Sequence, residues 1–377
     1  MQWIFYFSSL LLLSTAYSAT APQSTNDTDD DADETATMAV AGLSHGHAHW
    51  IFQDQFGAGD YVIGVYEPDE GLVEQFIRNY NLDRDLFFDD LDEMLDELQP
   101  SGLLAFGTVY DHLRVVEAAA PRGVHVMVEK PLAVSLDHAQ QMQALAEDHG
   151  IHLLTNYETS WYPSTEKTKQ LFTENRDDVG EIRKAMFQHG HMGPKEIGVD
   201  SEFLDWLTDP VLNGGGALMD FGCYGANLMT WFTDGEQPLT VTAVTQTHKP
   251  EIYAEVEDEA TIIVTYPESQ AIIQGSWNWP VDRKDMEIYG AGGYVKAPGP
   301  DVVKVRRNGE PETVSHSVEA DDVGLETDPF HYFAGVIRGE IEMPRYSLYT
   351  LENNMLVMQI LEAAKKSAAS GRTIQFE

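Results

Sequence analysis

Short apolar runs alternate with amphipathic stretches through the first part of the chain. Met38 to Gly42 predicts a strand that runs into Leu43-Ser-His-Gly-His-Ala-His-Trp50, the lead-in to a helix. Tyr61 to Tyr66 predicts a second strand ending at Glu67, and helical spacing follows at Glu70 to Tyr80 and at Leu91 to Leu98. A strand at Gly102 to Phe106, a helix around His112 to Ala120 and a strand at His125 to Glu129 continue the series. Ser135 caps a helix running to about Asp148, and Ile151 to Thr155 gives one more strand. Such alternation predicts a doubly wound parallel sheet, a Rossmann domain over residues 38–155, with ligands at the carboxyl ends of its strands.

The period changes afterwards. Beyond a helical segment at Ser164 to Thr173, strand-like runs at Glu181 to His189, Leu239 to Thr247, Ala260 to Tyr266, Gln270 to Trp277 and Asp285 to Tyr289 are rich in Val, Ile and Thr. Several alternate, which predicts a mostly antiparallel open sheet with one covered face, in an α+β domain over 156–350. Leu351 to Ala369 is an amphipathic helix that ends at Gly371 before a last strand, Thr373 to Phe376; residues 351–377 are expected to pack back on the first domain.

One stretch breaks both rhythms: Asn213-Gly-Gly-Gly-Ala-Leu-Met-Asp220-Phe-Gly-Cys-Tyr224-Gly-Ala-Asn227. Three glycines before a helical pattern suit a helix start where backbone passes close to something. Ala217, Phe221, Leu228 and Phe232 mark a buried stripe, while Asp220, Tyr224 and Asn227, at i, i+4 and i+7, share another face and can point at one ligand. Gly222 and Ala226 leave a third side nearly bare for close packing. A carboxylate and a phenol held together here could support proton transfer to and from a hydroxyl; a capped core helix with satisfied polar groups is the alternative.

A dinucleotide would lie on the turn after the first strand. There the G-x-G-x-x-G fingerprint is degraded, with Gly42 at its first position, Ser44 at the second and His47 at the third. Glu67, ending the second strand, would accept from ribose hydroxyls and repel a 2′-phosphate, favouring NAD over NADP. His45, His47 and His49 alternate, but only His45 and His49 share a helical face, so phosphate contacts or exposed helix-start positions are expected rather than a metal site. His189 and His191 end a strand that borders the expected substrate cleft.

Val128-Glu129-Lys130-Pro131 places a lysine at the carboxyl end of a buried strand, before a proline suited to a cis turn. This motif, followed by Gly-Gly-Gly-Ala-Leu-Met-Asp-Phe-Gly-Cys-Tyr, resembles the Gfo/Idh/MocA family of oxidoreductases in its glucose-fructose oxidoreductase branch, from about Met38 to the C-terminus. The resemblance implies that Lys130, Asp220 and Tyr224 surround the nicotinamide and the substrate, with Tyr where His is commoner. It implies a cofactor site drawn from Gly42, Ser44, His45, His47, Glu67, Thr108, His112, Glu129 and Lys130, and contacts from His191, Asn227 and Trp277 to a small carbohydrate. Core or subunit packing is the alternative for the Trp277-Asn-Trp279 aromatics. The resemblance further implies dimers or tetramers formed through the open sheet.

Hydride would leave a hydroxyl-bearing carbon while Lys130 or Tyr224 takes the proton and Asp220 orients the substrate. Burial and mutual charge are expected to lower the pKa of one of the two bases.

Composition narrows the partners. Of 377 residues, 62 are acidic and 23 basic, a formal charge of −39 spread along the chain, so nucleic acid and anionic membrane are excluded and a solvated acidic surface suited to high salt is expected. Cys223 is the single cysteine, which rules out an intrachain disulfide and a cysteine metal cluster. The apolar run Trp3 to Leu13, then Ser14 to Ala21, predicts a signal peptide over 1–19, followed by an acidic disordered linker over 20–37; a secreted or periplasmic protein is expected. Free NAD is expected to be scarce there, so the cofactor should be held tightly and regenerated within the cycle. That permits coupled oxidation and reduction of two sugars, or a redox-neutral glycosidase or epimerase. A non-catalytic sugar or dinucleotide sensor is the reading from a different class.

Overall fold

The computed structural model describes residues 36–53, 61–173 and 179–376, so the expected signal peptide and nearly all of the acidic linker lie outside the described residues. Packed structure has begun by Ala36, which is buried, and the Thr37 carbonyl accepts from Ser101 N at 2.9 Å and from Gly102 N at 3.1 Å.

Strands β1 (Met38–Ala41), β2 (Val62–Tyr66), β3 (Phe87–Phe88), β4 (Gly102–Ala105), β5 (His125–Glu129) and β6 (Leu153–Asn156) form a parallel sheet in the order β3-β2-β1-β4-β5-β6. All residues of β1, β4 and β6 are buried, which is why they read as continuous apolar runs. Helices α1 (Ala48–Ile51), α2 (Glu70–Tyr80), α3 (Leu91–Leu98), α4 (His112–Ala119) and α5 (Leu136–His149) alternate with them. The helix starts are set by local chemistry. Asp69, Asp90 and Ser135 accept from first-turn amides of α2, α3 and α5, satisfying donors that have no partner inside the helix.

After α6 (Pro163–Thr173), strand β7 (Ile182–Gly190) enters the second sheet. Helices α7 (Pro194–Ile197), α8 (Ser201–Leu207), α9 (Ala217–Asp220) and α10 (Gly222–Phe232) lead to β8 (Thr240–Gln246), β9 (Glu259–Thr265), β10 (Gln270–Ser276), β11 (Arg283–Gly290), β12 (Gly293–Gly299), β13 (Val302–Arg307) and β14 (Val314–Ser317). Helices α11 (Pro329–Ile337) and α12 (Leu351–Ser370) and strand β15 (Ile374–Gln375) close the chain. The sheet order is β14-β13-β12-β11-β7-β10-β9-β8-β15; β7 and β10 are parallel and the other pairs antiparallel.

One face of this sheet is covered by α10, against β7 and β10, and by α12, against β8. Helix α12 also packs on α5 and β6 of the first domain. The approach of α10 is close because its glycines lie on the sheet: a Cβ at Gly225 would meet Ile273 Cγ2 at 2.6 Å. Gly275 of β10 makes the complementary concession, since a Cβ there would meet the Ala217 carbonyl at 2.7 Å and Gly222 N at 2.8 Å.

Candidate active site

The order of the first sheet reverses between β1 and β4, and such a switch point opens a crevice beyond the strand ends. Gly42 follows β1 at φ +85°, where a Cβ would meet Gly107 Cα at 2.6 Å, so the loops after β1 and β4 can close on each other only because this residue is glycine. Beside them lies a cavity of about 480 Å³ lined by Gly42, Ser44, Glu67, Thr108 and His112, with Arg114 from α4 and Trp206 from α8.

Glu67 is buried and faces this cavity. Its carboxylate accepts from Leu43 N at 2.8 Å and Asp69 N at 2.9 Å, tying the end of β2 to the glycine turn. Burial raises its pKa above the ordinary value despite those amides. His112 donates through Nδ1 to the Leu132 carbonyl, 3.1 Å away, and its buried Nε2 has no hydrogen-bond partner among the described residues. Burial lowers its pKa to about 4, so it is neutral near pH 7. A glycine cradle, an acidic acceptor at the β2 end and an orphaned ring nitrogen on one cavity fit a dinucleotide.

His45, His47 and Glu129 gather at the next strand end. His47 Nδ1 is 3.1 Å from Glu129 Oε1, which also accepts from Asn156 Nδ2 at 2.6 Å, and Asn156 in turn accepts from Trp161 Nε1 at 2.8 Å. Burial pushes the Glu129 carboxyl up, but His47 and His45 hold it down to about 2. The three residues offer ligand atoms within 4.8 Å of one another, so they could also hold a cation, a juxtaposition that helical spacing did not foresee because Glu129 comes from another strand. His49 does not join them; it bonds Tyr80 at 2.7 Å.

Lys130 follows β5, with a cis peptide to Pro131, and its ammonium meets the break between α9 and α10. Lys130 Nζ donates to Asp220 Oδ1 and, at 3.2 Å, to the Asp220 carbonyl. Asp220 Oδ2 accepts from Trp277 Nε1 at 2.9 Å. The Tyr224 ring centroid lies 5.3 Å from Lys130 Nζ, and the ring is packed against Tyr157, His189 and Phe221. Cys223, also buried, donates to the Asp220 carbonyl at 3.3 Å, and burial pushes its thiol up to about 12.

The structure therefore gathers Lys130, Asp220 and Tyr224, but not with the electrostatics expected. Burial opposes charge on Lys130, yet the Asp220 carboxylate overrides it and the pKa rises; burial, then the Glu158 carboxylate, raises Tyr224 well above its ordinary value. Neither group is lowered, because the Asp220 carboxylate favours the charged lysine and burial favours the neutral phenol.

Asn227 does not share their surface. Its amide donates to the Leu348 carbonyl at 2.7 Å and to Asn353 Oδ1 at 3.0 Å, locking α10 to α12 inside the core. The i, i+4, i+7 reading fails at Asn227 because α12 covers that side of α10 and supplies the amide's partners. Trp277 is fully buried and holds Asp220, so it offers no face for a sugar to stack on. His191 does reach a cleft. Its Nδ1 accepts from Gly193 N at 3.0 Å, its ring abuts Phe221, and it lines a second cavity of about 390 Å³ with Glu158, Tyr162, Arg283 and Lys284.

The family profile for an oxidoreductase NAD-binding Rossmann fold matches residues 37–157, and that for the GFO/IDH/MocA C-terminal domain matches residues 167–296. A D-xylose 1-dehydrogenase [NADP(+)] of Haloarcula marismortui is 29% identical over 148 residues, spanning 39% of either chain. The trans-1,2-dihydrobenzene-1,2-diol dehydrogenase of Xenopus tropicalis is 22% identical over 313 residues, covering 80% of this chain and 88% of that one. Among solved structures, an aldose-aldose oxidoreductase from Caulobacter crescentus complexed with glycerol aligns with TM-score 0.74 at 19% identity, covering 91% of this chain and 100% of the other. An inositol dehydrogenase homologue from Azotobacter vinelandii complexed with NAD+ aligns with TM-score 0.76 at 16% identity, covering 91% and 98%.

Proposed function

Because the chain belongs to the Gfo/Idh/MocA oxidoreductases and carries their NAD-binding Rossmann fold, we propose that it oxidises a hydroxyl of a small sugar or polyol, using NAD in preference to NADP. The observation that carries this reading is the buried Lys130–Asp220 pair at the carboxyl end of β5, the same edge of the parallel sheet as the Gly42 crevice, with Lys130 Nζ 5.3 Å from the Tyr224 ring centroid. The bound nicotinamide supplies hydride acceptance and donation. Lys130, charged at rest, hands its proton to a carbonyl oxygen in the reducing direction; in the oxidising direction it first releases its own proton to solvent water and then, as the neutral amine, accepts the hydroxyl proton. Asp220, fixed by Trp277, keeps Lys130 aimed and charged. Tyr224 stays a neutral phenol and contributes a hydrogen-bond donor rather than a base. Glu67 is the source of the NAD preference, because a 2′-phosphate beside it would meet a carboxylate.

The same reading holds the cofactor tightly in an exported enzyme, on the strength of the apolar run Trp3 to Leu13 and the small residues after it. It assembles the protein through the open sheet, where Val244 and Val314 are exposed. The test is to purify the protein without added nucleotide, denature it and identify what is released by mass spectrometry, then to assay aldoses and polyols. Near-stoichiometric NAD and sugar-dependent turnover are expected. Absence of nucleotide would overturn tight retention, and absence of turnover with every aldose and polyol would overturn the substrate class.

A further inference from the structure

We propose that Glu158 and Lys284 form a second recognition point, which binds hydroxyls of a neutral polyhydroxylated substrate away from the carbon that reacts. This rests on the carbohydrate reading above and adds to it which sugars the site accepts.

Glu158 opens the turn after β6, and Lys284 lies on β11 of the other sheet. Their side chains form an ion pair on the wall of the second cavity, and Tyr162 donates to the other Glu158 oxygen. The pair is tied to the reacting end of the site by one ring: Lys284 Nζ lies 5.6 Å from the Tyr224 centroid, and Lys130 Nζ lies 5.3 Å from it. His191 lines the same cavity as Lys284 and packs on Phe221, whose ring centroid lies 5.6 Å from Lys130 Nζ. A molecule with one hydroxyl at Lys130 and others a few bonds away would reach both.

The chemistry of the wall selects the class of molecule. Each cation there already has a carboxylate: Lys284 has Glu158, and Arg283 is held by both oxygens of Asp285. An anionic substrate would have to displace Glu158 or Asp285 from its cation. A hydroxyl can instead donate to Glu158 and accept from Lys284 while the pair stays intact. Burial pushes the Glu158 carboxyl up, but Lys284 and His47 hold it down to about 2, so it is an acceptor throughout the working pH range. The site therefore takes neutral sugars and polyols in preference to uronates and sugar phosphates.

A purely structural ion pair between the two sheets would behave differently, because it could be replaced by an apolar pair with little change in ligand binding. The experiment uses NAD-loaded protein and isothermal titration with D-xylose, D-glucose and myo-inositol as neutral probes, D-glucuronate and D-glucose 6-phosphate as anionic ones, and 1,2-propanediol as a truncated one. The wild type is expected to bind a neutral probe at least about tenfold more tightly than either anion. Lys284→Met and Glu158→Gln are expected to weaken the neutral probe about ten- to hundredfold and leave NAD and 1,2-propanediol unchanged. Lys284→Arg should restore part of the loss.

Tighter binding of an anion would overturn the proposal, as would equal losses for the long and short probes or no loss at all. Should a variant fail to fold, the wild-type comparison of neutral and anionic probes decides alone. Binding of no probe to protein that still holds NAD would instead overturn the carbohydrate reading, and this proposal with it.

Discussion

Lys130 and Asp220 lie 90 residues apart in the chain and are joined twice, through the Asp220 carboxylate and through its backbone carbonyl at 3.2 Å from the same ammonium. The second bond exists because the helix breaks at Phe221, which leaves that carbonyl outside a regular helical ladder. The break itself lies over Gly275, where no side chain could be accommodated. A packing detail of the sheet thus fixes the geometry of Lys130.

Removing one partner of this buried pair leaves the other charge stranded, a change that costs about 3–5 kcal/mol. Lys130→Met is expected to lower turnover by about a hundredfold to ten-thousandfold, with NAD binding retained, and to reduce thermal stability. Adding Asp220→Leu should recover most of the lost stability and none of the turnover. Thermal melting beside steady-state kinetics separates the two effects, and recovered activity in the double variant would contradict the proton-transfer role.

The raised pKa of Lys130 makes the two reaction directions respond differently to pH. Reduction uses the charged lysine and is expected to be flat across about pH 6 to 9. Oxidation needs the neutral amine, whose fraction grows about tenfold per pH unit below the pKa, so kcat/KM for oxidation should still be climbing at about pH 9. A plateau near neutrality in the oxidative profile would show that another group is the base.

Trp277→Phe keeps the ring and removes the donor to Asp220 Oδ2. The carboxylate oxygen then remains buried without that partner, at a cost of about 1–3 kcal/mol in stability. Because Asp220 keeps Lys130 aimed and charged, kcat should fall while KM for the sugar barely moves, and the alkaline limb of the pH profile should shift. A rise in KM with kcat intact would return Trp277 to the substrate-contacting role expected from its place at a strand end.

How far the sequence reveals this arrangement depends on whether a contact is local. The strands of the first sheet read as apolar runs because they are buried on both faces, and α2 and α3 read correctly from their helical spacing. Lys130 was legible from its place after a buried strand. Strands β12 to β14 were not, since β12 begins and ends on glycine and carries Pro298, and β14 is exposed throughout. Asn227 and Trp277 were misread for one reason: their partners, Asn353 and Asp220, are distant in sequence. The Glu158–Lys284 pair carries no local signal at all, being a single acid and a single base 126 residues apart. Helix α8, which supplies Trp206 to the cavity beside Gly42, is only seven residues long and has no side-chain cap, too short for its spacing to announce a helix.

Buried histidines give the fold an acid limit that sets in before its carboxylates titrate. Burial lowers His112 to about 4 and His189 to about 3, whereas in the unfolded chain both take up protons near the ordinary value of 6.5. Below 6.5 the unfolded chain therefore binds protons that the folded chain refuses, and stability falls as pH drops, by up to about 1.4 kcal/mol per unit for each group. Glu129, held down to about 2, adds a loss of the same sign only below its ordinary value of 4.5. The melting temperature is expected to be level above about pH 7 and to decline from about pH 6. His189→Phe, which keeps an aromatic ring against Tyr224 and removes one titrating group, should flatten that decline without altering the level region. Parallel curves for the two proteins between about pH 6 and 4 would show that His189 is not held neutral by its burial.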